Sequence, residues 1–133
     1  MNRVFYIAII DDNKSYGFAT AEYLDYEFKP EKRFFIFDTC EKFSDVFLRE
    51  TNEANVLDIV ICDYKLDKDC EIANGFECAN RISARYPDAK IIILTGEGNL
   101  ELEHQSIASQ YFYIQKGISA AENLSALLSN FIN

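Results

Sequence analysis

The stretch Ile59-Val60-Ile61-Cys62-Asp63 decides the fold. It is short and β-branched, it does not alternate between apolar and polar, and it stops at a carboxylate. Two other stretches behave alike. Val4-Phe5-Tyr6-Ile7-Ala8-Ile9-Ile10 runs into Asp11-Asp12, and Lys90-Ile91-Ile92-Ile93-Leu94 runs into Thr95-Gly96. A strand with one wet face alternates; a strand covered on both faces reads as a continuous apolar run, as in parallel sheets flanked by helices. Working outward, further apolar runs lie at 34–37 and 111–114, which makes five with 4–10, 57–62 and 90–94. All are too short for independent helices.

Segments with helical spacing separate the runs. Tyr16, Ala19, Tyr23 and Leu24 form one stripe, and Phe43, Val46 and Phe47 a second. Phe76, Ala79 and Ile82 form a third, ended at Tyr86-Pro87 because proline disfavours helix in the residue before it. The fourth, at 99–109, opens on Asn99 as N-cap with Glu101 in its first turn. The fifth opens on Ser119-Ala120-Ala121-Glu122, a capping box, followed by Leu124, Leu127, Leu128 and Phe131. Strand alternates with helix five times, which predicts an α/β domain with a doubly wound, five-stranded parallel sheet.

Length and charge narrow the function. A chain of 133 residues is one ordinary domain and buries roughly two-thirds of its unfolded surface. With 13 Lys+Arg against 22 Asp+Glu, the net charge of −9 would repel nucleic-acid phosphates and anionic membranes. The longest apolar run has seven residues, where a membrane-spanning helix needs about 20. The chain reads as a soluble cytoplasmic protein. Its cysteines, at 40, 62, 70 and 78, show no C-x-x-C spacing, and His104 is the sole histidine, so no zinc site is expected. Four free, reduced thiols are expected, with Cys62 a small core residue and Cys70 in a polar stretch.

In an open parallel sheet, ligands sit beyond the carboxyl ends of the strands. There the sequence places Asp11 and Asp12 after the first strand, Asp63 after the third, Thr95 and Gly96 after the fourth, and Lys116 after the fifth. Asp38-Thr39, after the second, reads as a helix cap. Any one of these residues alone would be an ordinary turn or cap residue; the set is not. Carboxylates about 5 Å apart repel by roughly 3 kcal/mol per pair at an effective dielectric of 20. Such a cluster calls for a cation, and oxygen ligands favour Mg²⁺ or Mn²⁺. Open metal positions suit a phosphate, whose oxygens Lys116 and Thr95 would contact.

With these residues in place the sequence resembles the receiver domain of two-component response regulators. The fragments that carry the likeness are Ile9-Ile10-Asp11-Asp12, Asp58-Ile59-Val60-Ile61-Cys62-Asp63, Ile91-Ile92-Ile93-Leu94-Thr95-Gly96 and Tyr113-Ile114-Gln115-Lys116-Gly117. The likeness covers essentially the whole chain and leaves no residues within it for an effector domain. It implies a flavodoxin-like strand order of 2-1-3-4-5, the doubly wound order of chemotaxis receivers. It implies that Asp63 takes a phosphoryl group from the phosphohistidine of a sensor kinase or phosphotransfer protein. Asp12 and Asp63 would bind Mg²⁺ directly, Asp11 through water, and Lys65 by its carbonyl. Thr95 and Lys116 would hold the phosphoryl oxygens, Tyr113 would act with Thr95 in the switch, and Lys65 and Glu97 would tune dephosphorylation. A downstream protein or a second copy of the chain would dock on the fourth helix, fifth strand and fifth helix. That segment is poor in charge: residues 118–133 carry only Glu122, and Ala126 and Ile132 lie off the apolar stripe.

Two features depart from the family. Gly117 follows the lysine where the family has proline, often through a cis bond; a trans bond is expected here. Leu66-Asp67 replaces Met-Pro, and Asn74-Gly75 comes about four residues late. Asp67, Lys68, Asp69 and Glu71 load the intervening loop with charge, as a solvated loop would be. Rival functions fit less well. An Asp-nucleophile phosphatase needs an acid two residues after its nucleophile, where this chain has Asn13 or Lys65. A flavodoxin or P-loop phosphate cradle is missing. A degenerate receiver that only docks partners would have no use for the intact acidic set.

Overall fold

The computed structural model describes residues 3–48, 56–66, 71–72, 74–96 and 100–132. The elements are β1 (Phe5–Ile10), α1 (Lys14–Glu27), β2 (Lys32–Phe37), α2 (Cys40–Phe47), β3 (Ile59–Asp63), α3 (Gly75–Arg85), β4 (Lys90–Thr95), α4 (Leu100–Ala108), β5 (Phe112–Gln115) and α5 (Ala120–Asn130). All neighbouring strands pair in parallel, in the order β2-β1-β3-β4-β5. Each run expected to be a strand is one. No helix among the described residues is long and apolar enough to cross a membrane.

The continuous runs are covered on both faces because alternate residues feed two separate cores. Ala8, Ile10, Val60, Cys62, Ile91 and Ile93 pack with Cys40, Phe43 and Phe47 of α2 and with Cys78, Ala79 and Ile82 of α3. Phe5, Ile7, Ile9, Ile59, Ile61, Ile92 and Leu94 pack with Ala21 and Leu24 of α1 and with Leu124 and Leu128 of α5. Aromatic rings from β2 and α2 fill the first core, with Phe37 edge-on to Phe43 at 5.5 Å.

Three sequence expectations need correction. Cys40 and Cys78 form a disulfide, so the four thiols are not all free. The first residue of α2 and the inner face of α3 meet over the same side of the sheet, 38 residues apart in sequence, with Cα atoms 6.0 Å apart. That separation is within bridging reach. Cys62 is the free, buried thiol expected of a core residue, and burial pushes its ionisation well up, with Asp63 and Asp11 adding to the rise; Cys70 lies outside the described residues. The capping box of α5 does not form: Ser119 makes no side-chain cap hydrogen bond and sits at ψ 2°. An N-cap serine needs extended backbone to aim its oxygen at the following amides. Finally, two stripes are rotated. Ala19 is exposed while Gly17, Thr20, Ala21 and Leu24 are buried, and Val46 is exposed while Cys40 joins Phe43 and Phe47. By contrast, Thr39 does cap α2, accepting from the Lys42 amide at 3.0 Å. Asn99 lies outside the described residues.

Candidate functional site

Backbone hydrogen bonds fix the three strand ends that carry the acids and the lysine. The Asp11 amide donates to the Phe37 carbonyl at 3.0 Å and extends the sheet past β1. Asp11 Oδ1 accepts from the Asn13 amide at 2.9 Å. Asn13 in turn caps α1 by accepting from the Tyr16 amide at 3.1 Å. Asp63 is the last residue of β3, and the Tyr64 amide donates to the Leu94 carbonyl at 2.7 Å. The Lys116 amide donates to the Thr95 carbonyl at 2.7 Å, which ties the end of β5 to the end of β4.

The loop after Asp63 leaves the sheet and returns. Lys65 and Asn74 form an isolated antiparallel bridge. The Gly75 amide then donates to the Tyr64 carbonyl at 2.7 Å, and Asn74 caps α3 by accepting from the Phe76 amide at 2.7 Å. A Cβ on Gly75 would lie 2.5 Å from the Asp63 carbonyl oxygen. The late Asn74-Gly75 pair is thus where the longer loop closes back onto the backbone of Asp63, and only glycine permits that approach. Asp67, Lys68 and Asp69 lie outside the described residues.

Asp11, Asp12 and Asp63 come together, each offering one carboxylate oxygen, with these atoms all within 4.8 Å of one another. Asp11 and Asp63 are buried and Asp12 is exposed. The Lys116 ammonium donates to Asp11 Oδ2 at 3.1 Å and pairs with Asp63 Oδ1 at 3.4 Å. Burial, and then Asp11, push the Asp63 carboxyl up to about 7 in spite of Lys116. Burial pulls the Lys116 ammonium down, but Asp63 and Asp11 outweigh it and raise it above its ordinary value. One ammonium therefore leaves the carboxylates under-compensated. Three clustered hard oxygens with unspent negative charge fit a small divalent cation.

Of the remaining predicted residues, Thr95 is buried at the end of β4, opposite Gln115 in register. Tyr113 is half-buried on β5, opposite Ile93. Lys65 is exposed beside the site. Glu97, expected with Lys65 to tune dephosphorylation, lies outside the described residues. The Lys116–Gly117 bond is trans, as expected from glycine.

Tyr16, which by spacing reads only as part of the first helical stripe, also borders the site. Its ring lies under the Lys116 ammonium, 4.3 Å from Nζ to the ring centroid. Burial raises the Tyr16 hydroxyl, while Lys116 pulls the other way. The available signal was its position in the first turn of a helix that starts directly after Asp11-Asp12.

No family model matches the chain, and no curated protein matches it either. Solved structures do. A response regulator receiver domain protein from Clostridium thermocellum is 25% identical, with a TM-score of 0.78 over 97% of this chain and 94% of that one. The BeF3-activated receiver domain of DrrB is 23% identical, with a TM-score of 0.76 over 98% of both chains. The chain spans 53% of DrrB in its longer form, an OmpR/PhoB homologue from Thermotoga maritima. A CheY-like receiver domain protein from Methanospirillum hungatei is 22% identical, with a TM-score of 0.74 over 98% of this chain and 95% of that one. With five parallel strands in the order 2-1-3-4-5 and five helices, this chain has the receiver-domain fold of two-component response regulators.

Proposed function

We propose that this chain is a phosphoacceptor switch in two-component signalling, with Asp63 taking a phosphoryl group from the phosphohistidine of a sensor kinase or phosphotransfer protein. The observation that supports it best is the Lys116 ammonium held between the buried carboxylates of Asp11 and Asp63. In the transfer, an Asp63 carboxylate oxygen attacks phosphorus and the phosphorus–nitrogen bond breaks. The imidazole leaves with the bonding electrons and is protonated by water. The protein's part is to position groups and to spread charge. Lys116 and the Thr95 hydroxyl face the charge that arrives. Asp11, Asp12, Asp63 and the Lys65 carbonyl would hold Mg²⁺ or Mn²⁺, which supplies positive charge to the phosphoryl oxygens when bound.

The phosphoryl group adds about −1.5 to −2 charges beside Lys116 and Thr95. That pull on the β4 and β5 ends, with Tyr113 three residues from Lys116, is how the site would reach the surface of α4, β5 and α5. Ile107 and Ile132 are exposed there, and a downstream protein or a second copy of the chain would dock on it. Lys65 and Glu97 would set the lifetime of the phosphorylated state by obstructing the path of water. The chain would do no catalysis beyond slow phosphorylation and dephosphorylation of itself, and would act in the cytoplasm.

Incubation with acetyl phosphate and Mg²⁺, read by intact-protein mass spectrometry, tests this. A receiver acquires one labile acyl phosphate, absent from Asp63→Asn. A phosphatase releases phosphate over many turnovers, and a docking module does neither. Stoichiometric acyl phosphate on Asp63→Asn would refute the assignment.

A further inference from the structure

Lys116 makes three contacts through one atom. Its Nζ lies 3.1 Å from Asp11 Oδ2, 3.4 Å from Asp63 Oδ1 and 4.3 Å from the centre of the Tyr16 ring. Two of these partners sit at the ends of central strands. The third comes from the first turn of α1, 100 residues away in sequence from the lysine it meets. Tyr16 is half-buried, anchored at its amide by Asn13 and at its carbonyl by the Thr20 hydroxyl at 2.9 Å.

The lysine needs such a support. Its backbone is fixed at the amide by Thr95, but Gly117 follows it and nothing lies within 4 Å of where a Gly117 side chain would start. On that flank Gly117 offers no side chain of its own to pack beside the four-carbon stem. A lysine stem carries about 2 kcal/mol of rotamer entropy, and its head is strongly drawn to water. An aromatic face within about 6 Å attracts an ammonium through the ring quadrupole. At 4.3 Å the contact is well inside that range.

We infer that Tyr16 is a positioning residue for Lys116: its ring face holds the ammonium beside Asp63 in readiness for the incoming phosphoryl group. The inference rests on the reading of Asp63 as phosphoacceptor. The ring acts through the lysine and touches no reacting atom. The hydroxyl has no part in it, so phenylalanine should serve and an aliphatic side chain of similar bulk should not. Leucine keeps the apolar packing that Tyr16 gives to the core of β1, α1 and α5.

Two measurements test this on the full chain, with wild type, Tyr16→Leu and Tyr16→Phe. The first is the position of the Lys116 Hε signals by NMR without phosphodonor. They should lie upfield in wild type and Tyr16→Phe, and move downfield in Tyr16→Leu. The second is the rate of Asp63 labelling by acetyl phosphate with Mg²⁺. Tyr16→Leu should be slower by about threefold to tenfold, and Tyr16→Phe should restore the rate to within about twofold. Mg²⁺ affinity, followed by NMR titration, should stay the same in all three, because the carboxylates are untouched. Labelling of Tyr16→Leu at the wild-type rate, equal slowing in Tyr16→Phe, or the absence of a ring-current shift in wild type would each overturn the inference. Wild type that takes no phosphoryl group at all would instead refute the phosphoacceptor reading, and the two failures are told apart by that control.

Discussion

Replacing Asp63 with Asn should stabilise the metal-free protein at pH 8, although it deletes one partner of an ion pair. The carboxylate oxygens of Asp11, Asp12 and Asp63 lie within 4.8 Å of one another. At an effective dielectric of 20, Asp11 at that separation repels Asp63 by about 3 kcal/mol. Lys116 at 3.4 Å from Asp63 attracts it by about 5 kcal/mol on the same scale, but it also serves Asp11. Burial is the largest cost of ionising Asp63 and outweighs that attraction, and Asp12 adds a smaller repulsion. The balance is against the ionised form, which is why the carboxyl is pushed up to about 7. In the unfolded chain it is near 3.9. Between about pH 4 and 7 the folded state therefore keeps a proton that the unfolded state has lost, so this site's contribution to stability falls as pH rises through that window. Above pH 7 it is gone, and the folded protein carries a disfavoured charge. Asn never carries it. Allowing for screening by water at the open mouth, the gain at pH 8 should be about 1–3 kcal/mol. It should shrink to about a third by pH 5. Urea unfolding with EDTA, at the two pH values, measures it. Adding Mg²⁺ should raise the wild-type midpoint and leave the variant's nearly unmoved. A variant less stable than wild type at pH 8, or a gain equal at both pH values, would falsify this charge balance.

Other expectations follow from single contacts. Asp12→Ala should lose most of the Mg²⁺-induced rise in Tm, since it removes the exposed member of the acidic triad; a full rise would rule out the ligand role. Gly75→Ala should cost about 1–3 kcal/mol by overpacking, because its new methyl would meet the Asp63 carbonyl oxygen at 2.5 Å; it should also slow Asp63 labelling, and an unchanged midpoint in urea would count against the close approach. Opening the Cys40–Cys78 bridge, which closes a 38-residue loop, should cost about 3–4 kcal/mol. Unfolding with and without a phosphine reductant reads this directly, and coincident curves would show that the bridge does nothing for stability.

The fold was legible because burial on both faces writes itself into composition. Residues 7–10 and 91–94 leave no polar position for solvent, and the structure buries every one of them. The site was legible for a different reason. Knowing only that strands run in parallel, one can collect the residues at their carboxyl ends, and Asp11, Asp63 and Lys116 do come together there. Features that depend on where helices face were harder. Val46 and Ala19 fit their stripes by spacing yet point to solvent, because stripes of three or four apolar residues fix a helix's rotation only loosely. The disulfide left no spacing signature at all. It depends on α2 and α3 lying on the same side of the sheet, a tertiary fact. Tyr16 was hidden similarly: a ring in an amphipathic helix reads as packing until the lysine from the other end of the chain is placed beside it.

The register also explains why Tyr16 can reach the site while the disulfide cannot. Side chains along a strand alternate between faces. Asp11 and Asp63 carry the parity of Ile9 and Ile61, and Lys116 that of Ile114, all three of which pack on the α1 and α5 side. The acids and the lysine therefore emerge toward α1, where Tyr16 waits. Cys40 and Cys78 belong to the opposite core. The strands differ in how firmly they hold what they carry. β1 and β3 each have a strand on both sides, and β3 is buried along its whole length. β5 is an edge strand, paired to β4 alone, and only Ile114 of its four residues is buried. The two buried carboxylates are thus set at the ends of strands in the middle of the sheet, and the cation that answers them follows an edge strand. On the proposed function a charge added at Asp63 would act on both, and displacing β5 disrupts one ladder where displacing β3 disrupts two. On that reading the element that would give way is β5, whose outer edge pairs with no other described strand.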